Sequence, residues 1–421
     1  MEVSVVELLS AAERTEVVIV GAGPTGLTAA VRLAELGVPH VVLDSALAPT
    51  RTSNAALVHA ATIELLAALG LGEELVRAGR QVHRIGMADR GRPLVRVGLT
   101  GLPSRYPFAL GVPQSTTEQL LLHRLAELGG SVRRGHRVTS VHGEGTRHVV
   151  TGTVEPGGAA AGFAVSARYV IGADGAHSTV RSASGVEFPG ETYPAQFVLA
   201  DVALSAAGPD DEATINLSPR GVTVIGRLPG PNHRVIATVD PAAALPEAPD
   251  RRFLDELLAQ RGIAARATAE PVWSSRFRVH HRVADRFRVD GVFLAGDAAH
   301  VHSPAAGQGM NTGIADAYDI ATRLGAVLTG HAGEPVLDGY ERQRRAAALE
   351  VLAFTDRLTK LAMLENPLAR LGRRVAAGTV LRFPWPLQRR ITLLGQRPGP
   401  QSAATGPPRD RRTVLAVVSG T

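Results

Sequence analysis

From Glu16 onward, short apolar runs alternate with small-residue turns and with stretches whose apolar positions recur at helical spacing. Val17 to Val20 is such a run and ends on Gly21. An Ala- and Leu-rich helical stretch continues to Leu36, Gly37 breaks it, and a second apolar run, Val38 to Leu43, ends at Asp44. That order predicts strand, helix, strand. After a loop, a further helical stretch carries Ile63, Leu65, Leu66 and Leu69 at its apolar positions. Between Gln81 and Pro113 the pattern changes to alternation with Gly and Pro turns, which predicts short strands. Helical spacing returns after Pro113, with Thr116 or Thr117 expected as the cap and Glu118 in the first turn. The Gly/Ala-rich segment Pro156 to Gly162 is expected to be a hairpin tip, and Tyr169 to Ile171 a strand. Alternation dominates from Val186 to Arg276, interrupted by one helical stretch, Asp250 to Gly262. A last apolar run, Val292 to Ala295, enters a glycine-rich crossing, and a helix is expected from Gly309. The class is α/β. A parallel-sheet domain in three pieces, 1–80, 114–185 and 277–330, receives an inserted, mainly antiparallel domain, 81–113 and 186–276; a helical region, 331–397, and a mobile tail, 398–421, follow.

Composition narrows the classes. The chain has 421 residues, enough for two domains with cores, and its 45% hydrophobic and 20% charged content is that of a globular protein. With no cysteine, disulfides, thiolate metal sites and cysteine nucleophiles are excluded. The net charge is +6, and the arginines are spread along the chain, so a solvated surface is expected and not a nucleic-acid stripe. The N-terminal stretch carries acids and lacks a basic segment leading into a long apolar run, and no apolar stretch is long enough for a bilayer. A soluble cytoplasmic protein without a membrane span is the expectation.

Three turns carry the chemistry. Gly21, Gly23 and Gly26 follow a strand and open a helix, with an acid, Asp44, about 20 residues on, which is the setting in which GxGxxG marks a dinucleotide site. Gly21 permits the tight turn, Gly23 lets a pyrophosphate approach the backbone, and Gly26 lets helix and strand pack closely. Asp44 is placed to accept hydrogen bonds from ribose hydroxyls, and its charge disfavours a 2′-phosphate. The second turn, after the strand at Tyr169, carries Asp174, Gly175, Ser178 and Arg181. The third runs from Gly291 to Asp316: Gly296 and Asp297 end a strand, and Gly307, Gly309 and Gly313 leave backbone N–H groups open at a helix start, where the dipole favours partial negative charge. A carboxylate and a helix start suit a ligand that is part polyol, part electron-rich ring.

GAGPTG with Asp44, GADGAHSTVR, and GDAAHVHSPAAGQGMN, in this order, resemble the single-component flavoprotein aromatic hydroxylases of the p-hydroxybenzoate hydroxylase fold, a family that includes aromatic polyketide hydroxylases. The resemblance implies a Rossmann-type FAD-binding domain around an inserted substrate domain. It implies that Gly21, Gly23, Pro24, Thr25, Gly26 and Asp44 hold the ADP half of FAD, and that Asp297, after Gly296, binds the ribityl chain. Gly307 to Asn311, with Gly309 and Met310 between them, would lie beside the pyrimidine end of the flavin, and Pro304, with Gly307, at its reactive edge. Asp174 and Arg181 match the motif for FAD and for transient NAD(P)H, and Gln114 a flavin-contacting glutamine. Asn54 and Ala61 stand where arginines are common, and Arg51 is a candidate to compensate. The implied reaction is monooxygenation of a phenolic or polycyclic, polyketide-like aromatic with NAD(P)H and O2 through a flavin C4a-hydroperoxide. Epoxidation, Baeyer–Villiger insertion, flavin-dependent reduction and a non-catalytic flavin-binding protein stay open as alternatives, and a homodimer is admitted.

One fingerprint suggests that NAD(P)H visits without a domain of its own, and that the protein's tasks are orientation, water exclusion and backbone dipoles. His59, Tyr193, His280, His281 and His302 are candidates to assist a phenol's deprotonation, without a choice among them. His300 and His302 lack the acid and histidine spacing of a metal site. Phe197, Trp273 and Phe277 are candidates to line a substrate cavity.

Overall fold

The computed structural model describes residues 12–49, 55–155, 161–240, 246, 248–303 and 307–362. Strand β1 (Glu13–Val20) is the centre of an eight-stranded sheet because Val17, Val18 and Ile19 are apolar on both faces and fully buried. Helix α1 (Pro24–Glu35) follows, with a proline in its first turn, and strand β2 (His40–Leu43) returns parallel to β1. On the other side of β1 lies strand β3 (Ala161–Gly172), and beyond it strand Val292–Leu294, both parallel. The carboxyl ends of β1, β3 and Val292–Leu294 therefore meet on one edge, where the chain turns at Gly21, Ala173 and Ala295. Such an edge is where open α/β sheets bind ligands.

A nine-stranded sheet is assembled from 84–98, 190–283 and the short strand His300–Val301. Its long members are β4 (Gly190–Ser205), β5 (Asn232–Val239) and β6 (Trp273–Val283), all antiparallel. Alternation decides the faces. Val198, Ala200, Val202, Val235 and Ala237 pack on Leu254, Leu257 and Leu258 of helix Arg251–Gln260, whose N-cap Asp250 accepts from Phe253 N at 2.8 Å. The intervening residues of β4 and β5, Phe197, Leu199, Asp201, Arg234 and Ile236, fall on the opposite face. One pair departs from the antiparallel pattern: Arg84–Asp89 runs parallel to Glu212–Ser218. The position 276/277 lies within β6.

Two local expectations are corrected. The stretch after residue 55 forms two helices, Ala60–Ala68 and Gly72–Ala78, because the chain turns at Gly70, whose φ is +84°. The helix Gln114–Glu127 begins before Thr116: Pro113 is its N-cap, and Thr117 is buried inside the helix. The third turn leads into α2 (Gly309–Leu328), which packs on α1 where Gly313 faces Thr25, and α3 (Asp338–Ala362) follows. Of the expected hairpin tip, Pro156 to Gly162, residues 156–160 lie outside the described residues and 161–162 begin β3; residues 363–397 of the helical region and the tail also lie outside them. No helix among the described residues is long and apolar enough to cross a membrane.

Candidate functional site

The first two turns interlock through glycines. At Gly21 φ is +101°, and a Cβ there would lie 2.3 Å from the Ala173 carbonyl oxygen, so the turns after β1 and β3 touch only because this residue has no side chain. At Gly26 a Cβ would lie 1.9 Å from the Gly21 carbonyl oxygen. Gly23 is different: a Cβ there would meet nothing within 4 Å. It faces open space at the start of α1, beside Pro24 and Thr25 on the wall of a cavity. Asp44, at the end of β2, accepts from Ala22 N at 2.6 Å and Ala46 N at 2.8 Å and lies 3.2 Å from Arg134. Oδ2 thus anchors the glycine turn and Oδ1 the loop after β2, with lone pairs left for a ligand.

Asp174 does not line the cavity, although its neighbours Ala173, Gly175 and Ala176 do. Its Oδ2 accepts from Thr179 N at 2.7 Å and Val180 N at 3.1 Å, capping the short helix Thr179–Ala183, and burial raises its pKa against these hydrogen bonds. Arg181 is a strut between motifs. It donates to the Ala176 and Ala298 carbonyls, each at 2.9 Å, and lies over Phe188 at 3.9 Å, so the second turn is tied to the third.

At the third turn, Gly296 has φ +60° and a Cβ there would lie 2.5 Å from Thr25 Oγ1. Asp297 follows, deep in the molecule but with its side chain open to the cavity; surrounding bulk raises its pKa and His300 opposes the rise. The start of α2 points at the same space: Gly307, Gly309 and Met310 line it, and a Cβ at Gly309 would meet nothing within 4 Å. Asn311 is fixed, since it accepts from His59 N at 2.9 Å and donates to Leu57 O and Gly307 O at 2.8 and 2.6 Å. Gln114 lines the cavity too; its Oε1 accepts from Ala55 N and its Nε2 donates to Glu118, whose pKa burial raises. Arg51, Asn54 and Pro304 lie outside the described residues.

The cavity has a volume of about 530 Å³, and its far wall is the open face of the second sheet. Ile85, Ile215, Val224, Ile236 and Phe277 make that wall apolar. Phe277 lines it directly and Phe197 stacks behind, ring centroids 5.7 Å apart. Trp273 is not among the lining residues. It lies 5.5 Å from the Arg234 guanidinium, which stands on the wall in a buried bidentate pair with Asp201. Arg227, also on the wall, is paired with Asp210 at 2.9 Å. Neither pair showed in the sequence: Asp201 and Arg234, 33 residues apart, meet through strand register, and Asp210, 17 residues from Arg227, reaches it from a turn.

The histidines sort by partner. His300 is buried, with Nε2 2.7 Å from Asp316 Oδ2, and Arg344 Nε donates to Asp316 Oδ1 at 2.6 Å. Burial alone would raise the Asp316 pKa, but Arg344 and His300 outweigh it and lower it. His302 lines the cavity. Burial, then His300, hold its pKa down to about 4, and its Nδ1 lies 3.2 Å from Ser303 O. His59 and His280 also line the cavity, His281 does not, and Tyr193's side chain is not described. No group of histidine and acid side chains among the described residues is arranged to hold a metal.

Residues 14–355 match the family described as FAD binding domain. The chain is 37% identical over 384 residues to 6-methylpretetramide 4-monooxygenase of Streptomyces rimosus, covering 90% of this chain and 68% of that protein. Among solved structures, p-nitrophenol 4-monooxygenase from Pseudomonas putida is similar with a TM-score of 0.82 at 26% identity, covering 91% of this chain and 99% of that one. The anhydrotetracycline hydroxylase of Streptomyces rimosus is similar with a TM-score of 0.76 at 33% identity, covering 91% and 77%.

Proposed function

The chain belongs to the FAD binding domain family and is an FAD-dependent monooxygenase, and from that premise we propose that it uses NAD(P)H and O2 to hydroxylate a phenolic or polycyclic, polyketide-like aromatic. One observation carries the proposal: two glycines facing empty space, Gly23 and Gly309, and an accessible carboxylate, Asp297, surround one cavity whose opposite wall is apolar. The residues fit FAD. In the proposed arrangement the α1 start at Gly23, Pro24 and Thr25 takes the pyrophosphate, Asp44 the ribose and Asp297 the ribityl hydroxyls. The N–H groups at Gly307 to Met310 face the electron-rich end of the ring, with Gln114 at its side. When bound, FAD supplies hydride acceptance and oxygen activation.

The chain's own part is orientation and exclusion of water. Ile215, Val224, Ile236 and Phe277 give an aromatic ring a dry surface against the flavin site, and the start of α2 stabilises negative charge on the side away from that surface. For NAD(P)H, we assign the edge of His177, His280 and Arg282. Burial first, then Arg282, His177 and Arg278 hold down the His280 pKa and favour its neutral ring, so the guanidinium of Arg282 is the charge that suits a visiting dinucleotide phosphate.

The test is NADPH and NADH oxidation by FAD-loaded protein under ¹⁸O2, against monocyclic and fused-ring phenols, with mass spectrometry on each reaction. The expected result is faster oxidation with fused-ring phenols and gain of one labelled oxygen. Oxidation that yields only hydrogen peroxide with every phenol would overturn the hydroxylase assignment.

A further inference from the structure

Three arginines stand on the cavity wall: Arg227, Arg234 and Arg278. The first two are neutralised by Asp210 and Asp201. The Arg278 side chain has no hydrogen bond or ion pair among the described residues and is exposed. Its place in the sheet is unusual. Between Thr192↔His280 and Gln196↔Arg278 the pairing of β4 with β6 shifts register, since β4 advances four residues where β6 advances two. Such a bulge interrupts the ladder and re-aims nearby side chains. At this interruption lies a second depression, about 240 Å³, lined by Gln196, Arg276, Phe277 and Arg278. Phe277 and Arg278 line both spaces, so the depression adjoins the cavity at the break in the sheet.

Building on the hydroxylase reading, we propose that this bulge is a second substrate subsite. Arg278 binds an anionic oxygen of the aromatic substrate (a carboxylate, enolate or phenolate) remote from the carbon that reacts, while the ring system rests on Phe277. Phe277, backed by Phe197, divides the apolar chamber for the rings from the polar chamber for the anionic end. The charge balance of the wall supports this: among the described residues no carboxylate pairs with the Arg278 guanidinium, which stands beside an apolar surface and supplies a counter-ion site. Arg227 and Arg234 each keep one buried N–H group without a partner, Nε and Nη1, but Asp210 and Asp201 balance their charge.

The experiment measures binding to the FAD-loaded protein by perturbation of flavin absorbance, using 1-hydroxy-2-naphthoic acid and its methyl ester as probes. Wild type should bind the acid more tightly than the ester. Arg278→Gln should weaken the acid about tenfold or more and leave the ester within about twofold, as loss of one charge-assisted contact requires. Arg278→Lys should restore most of the preference. Equal affinity for the two probes in wild type, including absence of binding by either, would overturn the subsite. So would an Arg278→Gln effect confined to the KM for NADPH, which would give the arginine to the dinucleotide. Because binding is read without turnover, selective binding of the acid together with peroxide-only oxidation with every phenol would sink the hydroxylase reading and leave this subsite standing.

Discussion

His300 and His302 are two residues apart with rings parallel at 6.1 Å, yet one faces a carboxylate and the other a carbonyl. For His302 the folded pKa, about 4, lies below the ordinary value of 6.5, so the unfolded chain binds more protons between those values. Its contribution to stability is therefore complete above about pH 6.5 and is lost as pH falls towards 4, by something on the order of 1–3 kcal/mol. His302→Asn should flatten the fall in urea-unfolding stability from pH 7 to 5; an unchanged slope would mean that the imidazole is solvated. Asp316→Ala should cost about 3–5 kcal/mol, because it strands the buried Arg344 charge. A loss below about 1 kcal/mol in the same assay would show that water replaces the carboxylate. At this scale the sequence was least informative. Residue type gave Asp174 and Asn311 as candidates, but that one caps a helix and the other ties a loop to α2 depends on hydrogen-bond geometry that no spacing encodes.

At the scale of elements, the glycine fingerprint was legible because each glycine answers a different backbone demand, and those demands separate in mutants. Gly26→Ala puts a Cβ against the Gly21 carbonyl, where backbone on both sides leaves nothing flexible to yield, so a loss of about 1–3 kcal/mol or more is expected. Gly23→Val extends into open space. That variant should melt near the wild-type apoprotein and yet purify with little FAD. Full flavin occupancy would remove Gly23 from the pyrophosphate site. Asp297→Ala should likewise lose flavin without unfolding, since its carboxylate faces the cavity; undiminished occupancy would remove it from the ribityl site. The β-α-β unit, the helix at Gly309 and the helix at Arg251 were readable because apolar period and punctuation agree there. Thr116 and Thr117 misled because a proline before Gln114 starts that helix without a side-chain cap.

Across the whole molecule, the cavity is built from segments as distant as Gly23, Ile85, Ile236 and Gly309, and the sequence announced its glycine side and, on the far wall, Phe277. The sheet side consists of ordinary alternating strands whose wall-facing residues are chosen by register: Ile85 faces Ala213, Ile215 faces Val224, and Val224 faces Ile236. No local pattern distinguishes such a wall from a core face. One contact links the two halves mechanically: His300–Val301, just after Asp297, pairs with Arg282 and Val283 at the end of β6. Flavin held at Asp297 should therefore steady both sheets. At a free FAD concentration about 100 times Kd the protein should gain about 2.7 kcal/mol. Hydrogen exchange should slow at the edge of β1 and β3 and also in β6 near Arg282. An aromatic ligand added afterwards should extend protection along β6 towards Phe277 and β5 near Ile236, with little further change at β1. If FAD slowed exchange only around β1 and β3, the pairing at His300–Val301 would be a passive contact, and the second sheet would meet its ligand independently of the flavin.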